Sequence, residues 1–197
     1  MLKNFIFIGR SGCGKGTQAE LLTDYLKRET GISVFYVENG QKFRDFLERK
    51  DNPTSQISQK IYKEGGLQPE FLSVYMWTDQ LIEKFDNKTH LVIDGAPRRL
   101  PEASILDSAF RFYGRENLYV LHIDIGRAEA EERLLARGRS DDKSREDISK
   151  RLDWFDTDVV PVLDFFKNNS RYKFLKIDGE RSIEDIHKDI IQQIFSK

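Results

Sequence analysis

The stretch that most constrains the fold is residues 4–28, NFIFIGRSGCGKGTQAELLTDYLKR. Asn4–Ile8 is a short apolar run rich in Phe and Ile, which predicts a buried strand. A glycine-rich loop at residues 9–17 follows it, and apolar residues at helical spacing then continue until Gly31. This order points successive backbone N–H groups and a helix N-terminus at one place, an arrangement that suits a polyphosphate.

The residues of the loop have separate tasks. Its glycines permit a tight curl and leave no Cβ between the backbone and phosphate oxygens. Lys15 can reach the β- and γ-phosphates, and Thr17 offers a hydroxyl to a metal or to an α-phosphate. The pattern G-x-x-x-x-G-K is met, but Gly16 follows the lysine and displaces the hydroxyl to Thr17.

Two other interpretations of the loop stay open. One is a glycine-rich turn that binds nothing. The other is a dinucleotide fingerprint, in which the G-x-G of residues 12–14 is followed by Thr17 and in which Glu38, after the next strand, would bind the ribose. The dinucleotide interpretation assigns no role to Lys15.

Composition bounds the class of protein. With 197 residues, 39% hydrophobic and 33% charged, the chain predicts one globular domain. One cysteine, Cys13, excludes an internal disulfide and a Cys-cluster zinc site, and it is either a small residue that fits the loop or a thiol acidified by nearby N–H groups. Without a membrane-length run or a signal-peptide pattern, we expect a cytoplasmic protein with no membrane partner. A net charge of −1 predicts no nucleic-acid partner, so clustered arginines must build any anion site.

The rest of the chain alternates short apolar runs with amphipathic segments. Further strands are predicted at residues 32–37, 91–93, 118–125 and 172–177, and helices at residues 41–50, 54–63, 69–85, from 101 onward, 128–137, 145–167 and 183–195. Five such strands predict a three-layer α/β fold, in which helices cover both faces of a parallel sheet. Ligands bind beyond the carboxyl ends of such strands, where Gly9, Glu38, Asp94 and Asp178 lie.

Four motifs together resemble the nucleoside monophosphate kinases, most closely the adenylate kinase family with a short lid. They are GKGT at residues 14–17, DGAPR at residues 94–98, RGRSDD at residues 137–142 and KRL at residues 150–152. The resemblance covers nearly the whole chain and implies a single P-loop kinase domain over residues 1–197. Its expected parts are a core (residues 1–37, 86–136 and 143–197), an inserted helical lobe for the nucleoside monophosphate (about residues 38–69) and a very short lid (about residues 137–142).

The resemblance implies transfer of the γ-phosphoryl group of ATP, with Mg²⁺ as cofactor, to a nucleoside monophosphate. It implies catalytic roles for Lys15, Arg98, Arg137, Arg139 and Arg151. It implies that ATP binds at Gly12, Cys13, Gly14, Lys15, Gly16, Thr17, Arg133 and Gly179. The acceptor is expected at Asn39, Gly40, Arg44, Gln68, Gly95, Arg98, Glu102, Arg139 and Arg151, and Mg²⁺ near Thr17 and, through water, Asp94.

Several of these residues have simpler explanations. Arg133 is four residues after Glu129, and Arg151 is four residues after Asp147, so each could form an ordinary surface pair on its helix. Asp141 and Asp142 could close the lid or merely cap the helix that follows. Ala96-Pro97 replaces an aromatic-proline pair usual in the family, and we expect its peptide bond to be cis, as it is there.

The expected acceptor pocket departs from the family pattern. Asn39 stands where the family usually has Thr, and Gln68 where it has an apolar residue. Glu102 occupies a position at which adenylate kinases place Gln, which offers adenine both a donor and an acceptor. An ionised Glu offers only acceptors and suits the N–H groups of guanine better. Analogy therefore favours AMP as acceptor, whereas the hydrogen-bond argument favours GMP, and a pyrimidine monophosphate stays open.

The lid also departs from the family pattern, because only Gly138 separates Arg137 from Arg139. So small a cover should exclude water less completely, which predicts some hydrolysis of ATP in the absence of an acceptor.

Two other classes of function compete with a kinase. A P-loop ATPase or GTPase switch would carry an Asn-Lys-x-Asp motif after a strand, but NKTH at residues 87–90 lacks the Asp and precedes its strand. A non-catalytic interaction protein would have lost phosphate ligands, and none is obviously lost. Nothing in the sequence demands more than a monomer.

Overall fold

The computed structural model describes residues 1–138 and 144–195. A five-stranded sheet has the order β2-β3-β1-β4-β5, and every neighbouring pair is parallel. The strands are β1 (Asn4–Ile8), β2 (Val34–Glu38), β3 (His90–Asp94), β4 (Leu118–Asp124) and β5 (Tyr172–Asp178). The predicted α/β class with a five-stranded parallel sheet is confirmed.

Helices connect the strands. They are α1 (Lys15–Thr30), α2 (Asn39–Leu47), α3 (Pro53–Lys63), α4 (Glu70–Lys84), α5 (Leu100–Phe112), α6 (Arg127–Arg137), α7 (Arg145–Trp154), a π-helical turn (Phe155–Val159), α8 (Val160–Lys167) and α9 (Ile183–Phe195). Two predicted helices were wrong in part. Helix α2 begins directly at the end of β2 rather than at residue 41, because residues 39 and 40 already form its first turn, and it ends at Leu47 rather than Lys50. The helix predicted at residues 145–167 contains the π-helical turn, which apolar spacing does not reveal.

Strand β1 lies at the centre of the sheet and places the glycine-rich loop. Its residues are buried, between 0 and 3% exposed for Phe5 to Ile8. Successive side chains point to opposite faces. Phe5 and Phe7 join the core cluster that includes α1 and α9, whereas Ile6 and Ile8 join the cluster that includes α4, α5 and α8. Because both faces of β1 are packed against helices, the strand holds the glycine-rich loop at a fixed position at the edge of the sheet.

Helix α1 ends where the sequence predicts. Ala19, Leu22 and Leu26 are fully buried on one face. Gly31 adopts the left-handed conformation with φ 68°, and its N–H donates to the carbonyl oxygen of Lys27 at 3.1 Å. A glycine satisfies the helix end there without the steric cost of a Cβ.

Helices α2 and α4 share a small apolar cluster of their own. Phe46, Leu72 and Met76 are buried there, with Phe43 packed against them. In the described residues, no helix is both long enough and apolar enough to cross a membrane.

Arg115 joins three chain segments at the edge of the sheet opposite the loop. It is 4% exposed, and its Nε donates to Asn4 Oδ1 at 2.7 Å. Its Nη1 donates to Asn87 Oδ1 at 3.1 Å and its Nη2 to the carbonyl oxygen of Thr89 at 2.7 Å. One guanidinium, just before β4, therefore satisfies acceptors near the starts of β1 and β3.

Replacing Arg115 tests this role. We expect Arg115→Ala to lower the free energy of unfolding by about 3 kcal/mol, because the buried acceptor on Asn4 and the half-buried one on Thr89 both lose their donor. Urea unfolding monitored by circular dichroism measures the change. Lys27→Ala is the control, since Lys27 is exposed and lies 4.0 Å from Asp24, and its loss should cost less than about 1 kcal/mol. Equal losses in the two variants would contradict the assignment.

Candidate active site

The glycine-rich loop approaches neighbouring backbone too closely for side chains at two positions. A Cβ on Gly9 would lie 2.4 Å from the carbonyl oxygen of Ile123. Gly12 has φ 87°, and a Cβ there would lie 2.9 Å from the carbonyl oxygen of Ala130. The loop can follow this path only with glycine at these positions, and it leads directly into the N-terminus of α1.

Lys15 folds back over the loop. Its ammonium group donates to the carbonyl oxygens of Gly9 at 2.8 Å and of Arg10 at 3.0 Å. These contacts hold a positive charge at the mouth of the loop. Cys13 is 1% exposed and packs into the apolar cluster beneath the loop, within 3.5 Å of Lys15 Nζ.

A cavity of about 440 Å³ opens between the loop and helices α2 to α4. This volume is in the range of small-molecule sites. Among the residues expected at the nucleotide and metal sites, those that line it are Gly12, Gly14, Lys15, Gly16, Thr17, Asn39, Gly40, Arg44, Gln68, Asp94, Gly95, Arg98, Arg133, Arg137 and Arg151. Residues spread over the chain are thus brought together at the carboxyl ends of the strands.

Three of the residues expected at the nucleotide sites do not line the cavity. Cys13 and Glu102 are buried behind the wall of the cavity. Gly179 follows β5, where its N–H donates to the carbonyl oxygen of Asp124 at 2.8 Å. Arg139 lies outside the described residues, as do Asp141 and Asp142. The cap of α7 is Ser144, whose Oγ accepts from the N–H of Asp147 at 3.0 Å.

The arginines reach the cavity from different elements. Arg98 follows β3, and its Nε donates to the carbonyl oxygen of Gly95 at 3.0 Å. Arg151, on α7, places its Nη2 3.5 Å from Ser11 Oγ in the loop. Arg44, on α2, pairs with Glu38 at 3.1 Å. The peptide bond between Ala96 and Pro97, just before Arg98, is cis, as expected.

Arg133 combines the two roles considered for it. Its Nε donates to Glu129 Oε1 at 2.6 Å, which is the surface pair expected from their spacing on α6. The same side chain lines the cavity, beside Arg137. The ion pair therefore orients this guanidinium and does not remove it from the site.

Asp94, at the end of β3, is an acidic group in the cavity wall. Burial raises the pKa of its carboxyl group, an effect that the nearby Lys15 and Arg98 oppose. The hydroxyl of Tyr36 lies 3.5 Å from Oδ2, and burial together with Asp94 raises the pKa of this tyrosine. Oδ1 is buried without a hydrogen-bond partner among the described residues. A water molecule carried by a cation would supply that partner.

These features fit a hydrated magnesium ion. Asp94 Oδ2 would lie 3.5 Å from a Cβ placed on Gly16, so the carboxylate faces the first turn of α1, where Thr17 also lies. The described residues contain no group of three or more His, Cys, Asp or Glu that could hold a metal by themselves. Mg²⁺ commonly keeps several water ligands and takes the rest from one or two protein groups and from phosphates.

The far wall of the cavity is unusually polar. Gln68 is buried, and its Nε2 donates to the carbonyl oxygen of Ser58 at 3.0 Å. Glu102 is 1% exposed, and its Oε2 accepts hydrogen bonds from Ser73 Oγ at 3.0 Å and from the N–H of Arg98 at 3.2 Å. Burial raises the pKa of Glu102. Ser73 itself lines the cavity, and the carboxyl group lies directly behind it.

Ser73 and Trp154 are among the residues of the cavity wall that sequence reasoning missed. Trp154 lies one helical turn after Arg151, so their shared helix face could have revealed it. Its ring centroid is 5.3 Å from the guanidinium carbon of Arg98. Ser73 gave no comparable signal, because a serine on a helix is ordinary until the fold places it against Glu102.

Comparison with known proteins gives a consistent result. A family model described as adenylate kinase matches residues 7–171. Adenylate kinase 1 of Nostoc sp. is 29% identical over 96% of this chain and 97% of its own length. An adenylate kinase of Prochlorococcus marinus is 31% identical over 98% of this chain and 100% of its own length. One of Leptospira biflexa is 30% identical, with the same shares covered.

The contact between Arg98 and Trp154 should strengthen the binding of a phosphate-bearing ligand, because the ring positions the guanidinium group. We expect Trp154→Leu to raise the Kd for a nucleoside monophosphate about two- to fivefold, since an exposed cation–π contact contributes about 0.5–1 kcal/mol. Trp154→Phe keeps an aromatic face and should lose less. Competition against a fluorescent nucleotide measures all three proteins. Identical Kd values in the parent protein and in Trp154→Leu would show that the ring does not position Arg98.

Proposed function

Because the chain belongs to the adenylate kinase family, it is a phosphotransferase that acts on nucleoside monophosphates, and we propose that it transfers the γ-phosphoryl group of ATP to AMP. One observation carries this proposal. Lys15, Arg98, Arg137 and Arg151 come from the loop, the segment after β3, α6 and α7, and all line the same cavity. Phosphoryl transfer depends on such positioning and neutralisation of charge more than on covalent catalysis.

The donor, ATP, is assigned to the loop side of the cavity. The backbone N–H groups of the loop and the N-terminus of α1 face this side, and Lys15 supplies a mobile positive charge. The adenine of ATP is assigned to Arg133. Cys13, buried beneath the loop, and Gly179, directly after β5, do not line the cavity.

The acceptor is assigned to the opposite side. Guanidinium groups bind pairs of phosphate oxygens well, and Arg44 and Arg98 lie at this side of the cavity. The base then lies toward Asn39, Gln68 and Glu102. Gly40 and Gly95 leave room for the sugar and phosphate, because neither carries a side chain.

Arg137 and Arg151 are assigned to the transferring group between the two nucleotides, together with Arg139. Charge on the equatorial oxygens of that group is spread in the transition state, and fixed cations around it lower the barrier. Mg²⁺, when bound near Thr17 and Asp94, would neutralise the donor phosphates. Lys15 and these arginines orient the phosphate chain of ATP and the phosphate of the acceptor toward each other.

A general base is not required, because the phosphate of the acceptor is already an anionic nucleophile at neutral pH. The histidines agree with this. All three lie in the described part of the chain, and none lines the cavity. His122, the one nearest the loop, is buried, and burial lowers its pKa to about 4, so it is neutral at physiological pH.

The remaining assignments follow from the same considerations. Family membership decides against the P-loop switch and the non-catalytic interaction protein. We propose a cytoplasmic monomer with ATP and a nucleoside monophosphate as partners and with Mg²⁺ as cofactor. The division into core, acceptor lobe at about residues 38–69 and lid at about residues 137–142 stays a prediction. GMP stays the alternative acceptor, because a buried carboxyl group lies where the base is assigned.

An acceptor panel tests the proposal. We expect purified protein with Mg-ATP to form ADP fastest with AMP among AMP, GMP, CMP and UMP, and to hydrolyse ATP slowly without any acceptor. Arg98→Ala should lower kcat/KM for AMP by about 10²–10³-fold, because a cation at the acceptor phosphate is lost.

Arg28→Ala is the matched control, since this arginine is exposed on α1, pairs with Glu29 and does not line the cavity. Its kcat/KM should equal that of the parent protein. Hydrolysis of ATP at the same rate with and without every acceptor, or no reaction at all, would overturn the proposal.

A further inference from the structure

Arg44, which is assigned to the phosphate of the acceptor, is engaged by side chains of its own segment. Its Nη2 donates to Glu38 Oε1 at 3.1 Å and to Gln41 Oε1 at 2.5 Å. Its Nε donates to the same oxygen of Gln41 at 3.1 Å. Nε and Nη2 form one edge of the guanidinium group, the kind of fork that binds two phosphate oxygens side by side. The chain itself therefore occupies an edge that a phosphate would use.

The ion pair between Glu38 and Arg44 lies where a ligand can reach it. Both residues line the cavity, and their side chains are 42% and 30% exposed. Ion pairs exposed to this extent contribute little to stability, so they exchange partners at a low cost in free energy. A Cβ on Gly40 would lie 3.4 Å from Arg44 Nη1, so the glycine leaves this side of the guanidinium group uncovered. A phosphate can therefore approach the pair and compete for Arg44.

The two partners of Arg44 differ in charge. Gln41 is neutral, and its Nε2 donates to Asp45 Oδ1 at 2.7 Å, which turns its oxygen toward Arg44. Glu38 carries a carboxylate at the end of β2, where it is the register partner of Asp94 in β3. This carboxylate neutralises the guanidinium group and repels an incoming anion, whereas the amide of Gln41 does neither. Glu38 is therefore the partner that opposes the binding of a phosphate.

We propose that Glu38 is an internal competitor of the acceptor's phosphate, so that a nucleoside monophosphate must displace its carboxylate from Arg44 in order to bind. This inference rests on the proposed function. A phosphate monoester carries about 1.5–2 negative charges at pH 7, against one on the carboxylate, so the phosphate can displace it. Part of the binding free energy is then spent on breaking the internal pair. Glu38 thus lowers the affinity for the acceptor by acting through Arg44.

The first test replaces the carboxylate by groups without charge. Glu38→Gln keeps an oxygen that can accept from Arg44, and Glu38→Ala removes the partner altogether. We expect the Kd for AMP to fall about two- to fivefold in Glu38→Gln, the range that partly exposed ion pairs contribute. Titration calorimetry on the full chain measures the Kd, and Glu38→Ala decides should Glu38→Gln fail to fold. An unchanged or higher Kd would overturn the inference, because the carboxylate would then be without effect or would orient Arg44 for the ligand.

Glu20→Gln is the matched control. Glu20 is exposed on α1 and lines the same cavity, but Arg44 donates no hydrogen bond to it within the part of the chain that the structure describes. This substitution removes the same charge from the cavity without releasing the guanidinium group. The Kd for AMP should therefore fall by less than it does in Glu38→Gln. Equal falls would show that the total charge of the cavity decides the affinity, and the inference would be wrong.

A double-mutant cycle tests whether Glu38 acts through Arg44. The Kd for AMP is measured in the parent, in Glu38→Gln, in Arg44→Ala and in the double variant. We expect the fall caused by Glu38→Gln to be smaller when Arg44 is absent, since no guanidinium group then remains to be released. A fall of the same size in both backgrounds would contradict the inference.

The inference and the proposed function fail in different ways. If the parent phosphorylates AMP but binds it as tightly as Glu38→Gln does, or more tightly, the inference alone is overturned. If the parent transfers no phosphoryl group to any nucleoside monophosphate, the proposed function is overturned instead.

Discussion

The structure depends on one electrostatic requirement. The phosphate chain of ATP and the phosphate of the acceptor must meet in a protein whose net charge is only −1. The attraction for these anions must therefore come from the local placement of cations rather than from the charge of the whole molecule. The parallel sheet meets this requirement because all its strands end at one edge. The loop after β1 and the segment after β3 are neighbours there, and Lys15 and Arg98 reach the same cavity. Helices α6 and α7 add Arg137 and Arg151.

The helical segment from α7 to α8 contacts arginines in the loop after β1 and in the segment after β3. Trp154 packs against Arg98, and Phe155 lies 4.4 Å from the guanidinium carbon of Arg10 in the loop. Asp156 pairs with the same Arg10 at 2.7 Å, and Asp158 pairs with Arg99 at 3.0 Å. The loop after β1 and the segment after β3 are therefore both attached to one helical segment, which contains the π-helical turn. This arrangement sets the distance between the two sides of the cavity.

The sequence predicted the features that depend on short stretches of chain. The strand, loop and helix at residues 4–28, the end of α1 at Gly31 and the arginines of the motifs all have local signatures. Features that depend on distant contacts could not be predicted. Ser73 and Glu102 are 29 residues apart, and their hydrogen bond exists only because α4 and α5 pack together. The sequence placed Glu102 against the base but could not show that a serine would lie in front of it.

The same limit applies to the interior of the site. Burial raises the pKa of Asp94 and of Glu102, an effect that the identity of a residue does not reveal. Both effects arise from desolvation, which depends on the whole fold. The polar groups near the cavity are therefore the hardest to predict from sequence. Whether a buried donor or acceptor has a hydrogen-bond partner depends on neighbours that are distant in the chain.

The most direct test of the central claim is the binding of a compound in which two adenosines are joined through a chain of phosphates. If cations from opposite walls converge on one cavity, a single molecule of this compound binds per protein chain and competes with both ATP and AMP. Competition with ATP alone, with AMP binding undisturbed, would contradict the account, because the two phosphate sites would then not be continuous.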